Sequence, residues 1–205
     1  MDAHPGAGVM VTAGLRKPYI TPYAEESVEL PLVFELGRLS YRDVLPGEGM
    51  FGVLWARCGS RREGQILWAM VHTLRQRRCM LKGLCRVCGR SATDPGTGRL
   101  WWVLSSAPVG EATSWPTVGP PTCREHVTEA LSTCPHLRRG RPFVCTVGDH
   151  TPIGVLANLY GHDDAGRVVE TRHQVAIGLD ETHLLPRALA TQLLVSLRDV
   201  RAETV

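Results

Sequence analysis

Two short pairs of metal-ligating residues constrain the fold of this chain more than any other feature of its sequence. Cys85 and Cys88 form a Cys-x-x-Cys pair followed by Gly89, and the stretch 89–122 separates that pair from the Cys-x-x-His pair of Cys123 and His126. Two thiolates at this spacing bind one tetrahedral ion when the chain turns tightly, and Gly89 permits such a turn. The odd count of seven cysteines favours reduced thiols and a metal over a disulfide framework.

The second pair coincides with a predicted helix start. Thr122 and Glu125 are spaced as a capping box, which predicts a helix that begins there and ends near Cys134. Cys123 and His126 would then share the first turn of that helix, where the helix dipole and free N–H groups favour a thiolate. Three thiolates and one imidazole close a tetrahedral shell, which predicts a structural Zn²⁺ ion with no open position for catalysis.

The Cys-x-x-Cys turn at 85–89 (the knuckle) is followed by a predicted strand and a predicted helix, and this order resembles the treble-clef zinc fold over residues 84–130. The stretch 89–122 is longer than the usual zinc-finger spacing. The chain as a whole also resembles an arginine-rich zinc-knuckle family of high-GC actinobacteria. The stretches that carry this resemblance are LCRVCG at 84–89, PPTCREH at 120–126 and CPHLRRG at 134–140. The resemblance implies zinc binding within a module spanning residues 84–136, and it implies no particular activity.

Further Cys and His residues offer alternative metal ligands. Cys134 and His136 lie at the predicted end of the helix that begins at Thr122. They could supply a ligand in place of His126, or join Cys145 and His150 in a second site. Both possibilities stay open at the level of the sequence.

The hydrophobic periodicity and turn residues predict an α+β fold with a mainly antiparallel sheet and about three helices. Strands are predicted at 28–34, 50–57, 99–106, 142–147, 152–160 and 167–178. Besides the helix at Thr122, one helix is predicted from Ser60 to about Arg78 and another from near Pro186. Leu185, Leu189, Leu193 and Leu197, at four-residue spacing, would pack the last helix on the sheet. Residues 1–27, rich in Gly and Pro, are predicted to form an extended arm, and residues 28–205 a single domain.

Basic residues are concentrated around the Cys-x-x-Cys pair. Between Arg57 and Arg90 there are nine basic residues and the single acid Glu63. Because arginine makes bidentate contacts to phosphate, a nucleic-acid-binding surface with DNA or RNA as partner is expected. Its residues would be Arg61, Arg62, Arg75, Arg77, Arg78, Arg86 and Arg90. The alternative is that the acidic stretch 25–48 neutralises these charges within the fold.

Two other functional classes stay open. A protein adaptor would use the zinc as a staple and present aromatic side chains to a protein partner, with Trp101, Trp102 and Trp115 as the candidates. An enzyme is less favoured, because the stretch 91–122 lacks the histidine of His-Asn-His nucleases and no Gly-x-Ser-x-Gly, P-loop or zinc-deaminase motif occurs. Two enzyme alternatives remain, a redox or tailoring thiol at Cys134 or Cys145 and a C-terminal collection of His150, His162, His173, His183, Asp149, Asp163, Asp164 and Asp180.

The sequence also bears on localisation. No apolar run approaches the roughly 18 residues of a membrane span, and the first residues lack the basic and apolar regions of a signal peptide. A cytoplasmic protein without a membrane partner is therefore expected.

Overall fold

Eight strands and three α-helices make up the part of the chain described by the computed structural model, which covers residues 16–28, 31–107 and 114–205 without the side chains of residues 135 and 136. The helices are α1 (Thr73–Lys82), α2 (Val127–Thr133) and α3 (Pro135–Arg139). The strands are β1 (Leu32–Glu35), β2 (Arg38–Tyr41), β3 (Leu54–Trp55), β4 (Leu100–Leu104), β5 (Trp115–Thr117), β6 (Phe143–His162), β7 (Val168–Gly178) and β8 (Ala188–Ala202). The predicted α+β class is confirmed.

Two long strands, β6 and β8, occupy the centre of a six-stranded sheet. They pair in antiparallel orientation from Cys145 opposite Ala202 to Leu159 opposite Ala188. β4 and β7 pair with successive parts of β6, and β3 and β5 pair with successive parts of the other edge of β8. β1 and β2 form a separate antiparallel hairpin. The expectation of a mainly antiparallel sheet is confirmed, since among the pairs of these named strands only β3 with β8 is parallel.

The main hydrophobic core lies where α1 packs against this sheet. Side chains of a strand point alternately to its two faces, and β4 uses both faces. Trp102 lies in the main core, whereas its neighbours Trp101 and Val103 lie in a second cluster with Val127 and Ala130 of α2. β4 therefore connects the sheet to the helix that follows Cys123. The largest fully buried members of the main core are Trp55, Trp102, Met80, Ile177, Leu193 and Leu197.

One side-chain amide completes the outer edge of β8. β3 pairs with Leu189 and Ala190, and β5 pairs with residues 195–197, which leaves Leu193 without a strand partner on that edge within the described ranges. The fully buried Gln76 of α1 fills this gap. Its Oε1 accepts the N–H of Leu193 at 2.8 Å, and its Nε2 donates to the carbonyl of Leu193 at 2.9 Å. The amide thereby makes the same pair of bonds that a residue of a neighbouring strand would make.

The predicted C-terminal helix is wrong, because residues 188–202 form β8. Ala188 and Ala190 are buried before the irregularity that shifts the β6–β8 register between Ala190 and Gln192, and Leu193 and Val195 are buried after it. Before the shift these buried residues have even numbers, and after it they have odd numbers. An alternation interrupted in this way leaves leucines at the four-residue spacing that is typical of a helix.

The helix predicted from Ser60 to Arg78 is also corrected, since α1 begins only at Thr73. Residues before it pair with the arm instead: Leu67 donates to the carbonyl of Pro22, and His72 donates to that of Ile20. The apolar residues of the predicted helix are not its most buried ones. Leu74 is 42% exposed and Met70 49% exposed, whereas the polar residues Arg75, Gln76 and Arg77 of α1 are buried.

The described part of the predicted arm, residues 16–27, lies against α1 and the chain before it, and residues 1–15 of the arm lie outside the described residues. Glu26 is buried and accepts a hydrogen bond from the guanidinium of Arg75, while its other carboxylate oxygen accepts the N–H of Tyr23. Burial opposes the charge on Glu26, but these donors outweigh it and lower the pKa of its carboxyl group. Arg75 also donates to the carbonyls of Tyr19 and Thr21, so that one arginine ties three points of the arm to α1.

Candidate metal centre

The structure brings together the four residues that the sequence predicts as metal ligands. Cys85, Cys88, Cys123 and His126 each offer one ligand atom, and these four atoms lie within 4.8 Å of one another. The Sγ atoms of Cys88 and Cys123 are 3.9 Å apart, and Nδ1 of His126 is 3.0 Å from Sγ of Cys123. Two thiolates bound to a tetrahedral ion at about 2.3 Å lie about 3.8 Å from each other, so the sulfur spacing fits such an ion.

A tight hairpin presents the first two thiols. Cys85 donates its N–H to the carbonyl of Arg90, and Gly89 donates to the carbonyl of Cys85, both at 2.7 Å. Gly89 has a φ of 72°, a conformation that favours glycine. The N–H of Val87 points at Sγ of Cys85 at 3.3 Å. Bonds of this kind stabilise a thiolate, and they are formed by the backbone of the hairpin itself.

The second pair of ligands lies on a 3₁₀ turn rather than on a capped α-helix. The capping box at Thr122 is wrong: its hydroxyl is buried with no hydrogen-bond partner among the described residues, and Cys123 is the residue before a 3₁₀ turn, Arg124–His126, that leads into α2. The backbone of Thr122 bonds instead to the carbonyl of Trp101 in β4. Cys123 and His126 still face one side, because three residues make one turn of a 3₁₀ helix.

The remaining nitrogen of His126 has two polar neighbours. Its Nε2 lies 2.8 Å from the guanidinium of Arg16 and 3.9 Å from Oε2 of Glu129 on α2. A histidine that binds a metal through Nδ1 carries its proton on Nε2, which can then donate to a carboxylate. Of these two neighbours only Glu129 has an acceptor, at a distance longer than a hydrogen bond, whereas Arg16 has only donors to offer.

Electrostatics within the group favour a bound cation. Burial and the neighbouring Cys85 and Cys88 raise the pKa of Cys123. For Cys88 burial acts in the same direction, but donors of Arg90 outweigh it and lower the pKa of the thiol. Three thiols so close oppose one another's ionisation, and a divalent cation removes that opposition. The donor set of three sulfurs and one imidazole suits a borderline-soft ion and not Mg²⁺ or Ca²⁺.

The alternative ligands take other positions. Cys134 packs beside the cluster of Trp101 and α2, and Cys145 is fully buried in the main core, where burial raises the pKa of its thiol to about 12. His150 bonds through Nε2 to the carbonyl of Met80 at 2.7 Å. The side chain of His136 lies outside the described residues. Among the side chains that the structure describes, Cys85, Cys88, Cys123 and His126 form the one group of three or more Cys, His, Asp or Glu residues placed to hold a metal ion, and this is the metal group referred to below.

The seven arginines of the predicted nucleic-acid surface divide into three groups. Exposed side chains belong to Arg61, Arg62, Arg78 and Arg90, and Arg86 is half-buried. Arg75 and Arg77 are buried, so the expected surface is corrected to exclude these two. Arg75 binds Glu26, and the guanidinium of Arg77 lies 4.5 Å from the ring centre of Trp55.

Several of the exposed arginines pair with acidic residues. Arg61 lies 3.5 Å from Glu25, and Arg90 lies 3.3 Å from Glu125. These pairs are exposed, so they are worth little and can exchange for another anion. Arg78 donates to the hydroxyl of Tyr19. Sequence reasoning missed two further cations beside this region, Arg16 and Lys17 of the arm, because it treated the arm as separate from the knuckle.

The other candidate residues are distributed over the fold. Trp101 and Trp102 are buried and Trp115 is half-buried, so the first two cannot form a docking surface. Three members of the C-terminal collection have separate local partners: His162 packs on Phe34, His173 binds Glu170, and Asp163 binds Arg167 within the β6–β7 turn.

Across the described parts of the chain, no helix combines the length and apolar character needed to cross a bilayer. Comparisons with protein-family models, with curated proteins and with solved structures found no match for this chain.

Proposed function

We propose that Cys85, Cys88, Cys123 and His126 bind one structural Zn²⁺ ion. The observation that carries this proposal is the convergence of their four ligand atoms within 4.8 Å. All four positions of a tetrahedral ion are then taken by protein side chains, so the ion would hold the structure together and would not activate water. The order of hairpin, β4 and helix supports a treble-clef-like arrangement around it.

Replacing one ligand tests the zinc assignment. Cys88→Ser is expected to reduce bound zinc from about one equivalent to a small fraction and to lower the free energy of unfolding, because structural zinc contributes directly to folding. Metal content is measured by mass spectrometry and stability by urea denaturation. Cys58→Ser is the matched control, since Cys58 is half-buried and lies outside the group. Full zinc content in Cys88→Ser would contradict the ligand assignment.

We further propose that the protein is a zinc-stabilised nucleic-acid-binding or regulatory accessory protein. Supporting this is the exposure of Arg61, Arg62, Arg78 and Arg90, which belong to the hairpin of the metal group or to the segments beside it. Arginine side chains bind phosphate through two parallel hydrogen bonds, and a rigid metal-bound support reduces the entropy lost on binding. DNA and RNA are both candidate partners.

A salt series tests nucleic-acid binding. The zinc-loaded protein is titrated against DNA and RNA oligonucleotides between 50 and about 300 mM salt, and the affinity is expected to fall steeply as phosphate-bound counterions are released. Arg78→Gln/Arg90→Gln should lower the logarithmic salt slope by about 1.8 on duplex DNA, at about 0.9 for each lost contact. Affinity no greater than that of a neutral control protein at low salt would refute nucleic-acid binding.

The adaptor alternative has one observation in its favour. Trp68, Met70 and Leu74 are large apolar side chains close together in the chain, and they are 44%, 49% and 42% exposed. Exposed apolar groups are common at protein interfaces. A zinc-loaded protein that fails to bind nucleic acid, yet retains one specific protein partner after nuclease treatment, would favour this alternative.

A further inference from the structure

A basic cleft lies beside the metal group. Its volume is about 500 Å³, and its walls come from the arm, from the chain before α1, from α1 and from the hairpin that carries Cys88. Five cationic side chains line it, and no carboxylate does so among the described residues. These cations are Arg16, Lys17, Arg62, Arg75 and Arg90.

The charges of the cleft are only partly neutralised. Glu26 is bound to Arg75 and lies 3.9 Å from Arg62, and Glu125 lies 3.3 Å from Arg90. Arg62 and Arg90 remain 67% and 72% exposed, so their pairs are weak. No carboxylate of the described residues lies within salt-bridge distance of Lys17, and burial and the charge of Arg75 lower its pKa. Within the described structure, these two carboxylates therefore pair with three of the five cations, Arg62, Arg75 and Arg90.

The position of the arm makes the cleft and connects it to the metal group. Tyr19 donates its N–H to the carbonyl of Val87 at 2.9 Å, and Ile20 donates to that of Arg86 at 3.2 Å. Both acceptors lie between the two cysteines of the knuckle. Arg16 and Lys17 thereby line the same cleft as Cys88, although they lie far from it in the sequence.

We propose that this cleft is a phosphate-binding site, filled by a phosphate of a nucleic acid backbone or by that of a free polyphosphate. The first source rests on the function proposed above, and the second is independent of it. Phosphate oxygens accept several charge-assisted hydrogen bonds at once, and the guanidinium groups of Arg16, Arg62 and Arg90 together with the ammonium of Lys17 supply the donors. A bound phosphate also relieves the repulsion among cations that the two carboxylates leave in place.

Two charge-matched double variants of the full-length, zinc-loaded protein test the cleft. Lys17→Gln/Arg62→Gln removes two cations of the cleft. Arg172→Gln/Arg198→Gln removes two exposed cations of the sheet and serves as control. The probes are a fluorescent single-stranded 12-mer, followed by anisotropy, and inorganic pyrophosphate, followed by the shift of the melting temperature. Lys17→Arg/Arg62→Lys keeps both charges, and circular dichroism checks that each variant is folded.

If the cleft binds phosphate, the cleft variant Lys17→Gln/Arg62→Gln should bind the 12-mer about tenfold more weakly. Its logarithmic salt slope should be lower by about 1.4, at about 0.7 per contact on a single strand. The control should change by less than about twofold, since distant charges are screened, and Lys17→Arg/Arg62→Lys should restore binding. Equal losses in the cleft variant and the control would overturn the cleft and leave nucleic-acid binding intact. A third outcome is that pyrophosphate stabilises every form except the cleft variant and that no form binds the 12-mer. This outcome would support the cleft as a phosphate-binding site and refute nucleic-acid binding. No response of the unaltered protein to either probe would overturn both.

Discussion

Several polar side chains of this molecule are buried, and His72 is one of them. His72 precedes α1 and accepts the N–H of Arg75 at its Nδ1, so it caps the helix. Its Nε2 lies 3.7 Å from the buried carboxylate of Glu26. Burial, together with the charge of Arg75, nevertheless lowers the pKa of His72 to about 4. The imidazole is therefore neutral in the folded protein at neutral pH, and the carboxylate is compensated by Arg75.

Acidification should destabilise the protein through His72. Between its pKa of about 6.5 in the unfolded chain and about 4 in the folded protein, only the unfolded state gains a proton, so stability falls as the pH decreases through this range. From pH 7.5 to pH 5 the expected loss is about 2 kcal/mol. Urea denaturation at each pH measures it, with His72→Asn as reference because asparagine keeps a capping acceptor and does not titrate.

The reference variant also contains the metal group, so any pH-dependent release of metal is common to both proteins. Below pH 4.5 the buried Glu26 adds a loss of its own, because the pKa of its carboxyl group is lowered in the folded protein. Measurements above pH 5 therefore report the effect of His72 without that of Glu26. Equal pH dependence of the parent and His72→Asn would contradict the role of His72.

α1 contacts β8 through the side-chain amide of Gln76, which bonds to Leu193 where a neighbouring strand would otherwise pair. Gln76→Leu is expected to lower the free energy of unfolding by about 3 kcal/mol, because the N–H and carbonyl of Leu193 and the carbonyl of Val118 each lose a buried partner. Urea denaturation measures the loss. Gln65→Leu is the control, since Gln65 is exposed in the segment before α1. A loss no larger than that of the control would show that the edge of β8 does not need the amide.

Local patterns in the sequence predicted part of the fold and of the site. Ligand spacing identified Cys85, Cys88, Cys123 and His126, since a Cys-x-x-Cys pair needs only a short turn to present both thiols. Alternating apolar residues identified the strands at β4, β6 and β7 within a few residues, although two predicted strands are one continuous β6. In each case the signal comes from residues close to one another in the chain.

Features set by distant residues were not predictable in this way. The start of α1 depends on the arm, which pairs with residues 63–72 although it lies well before them in the sequence. Arg75 is buried because Glu26, a distant residue in the sequence, lies against it, and nothing near Arg75 in the chain signals that partner. The buried face of β8 changes at a bulge whose position depends on β6. A period of leucines cannot reveal such a bulge.

Besides the clusters at α2 and at the β1–β2 hairpin, the molecule has a main core in the sheet and a smaller cluster at the metal group. Cys85, Val87 and Ala92 form the buried part of the smaller cluster, and Leu100 is the half-buried residue that packs against both. None of the four residues of the metal group belongs to the sheet core. The two regions should therefore differ in how strongly they depend on a bound ion.

Removal of metal should affect one region first. Dialysis of the zinc-loaded protein against a chelator is expected to increase hydrogen exchange at least about tenfold at residues 84–91 and 123–130 and in the arm at 19–20. Backbone amides of β6 and β8 should change much less, because their bonds lie in the sheet. Exchange followed by mass spectrometry measures both. Uniform loss of protection across β6 and β8 would instead show that the ion supports the entire fold.

The order of the strands along the chain bears on how the protein forms during synthesis. β8 pairs with β3, β5 and β6, and it follows all three in the sequence. None of these pairings can form until residues 188–202 have been made, so β3 gains its partner only after the chain between Trp55 and Ala188 has been made. The four residues of the metal group lie within 85–126 and can meet much earlier. A nascent chain could then close the metal group while the edges of its future sheet are still open, and unpaired strand edges favour aggregation at that stage.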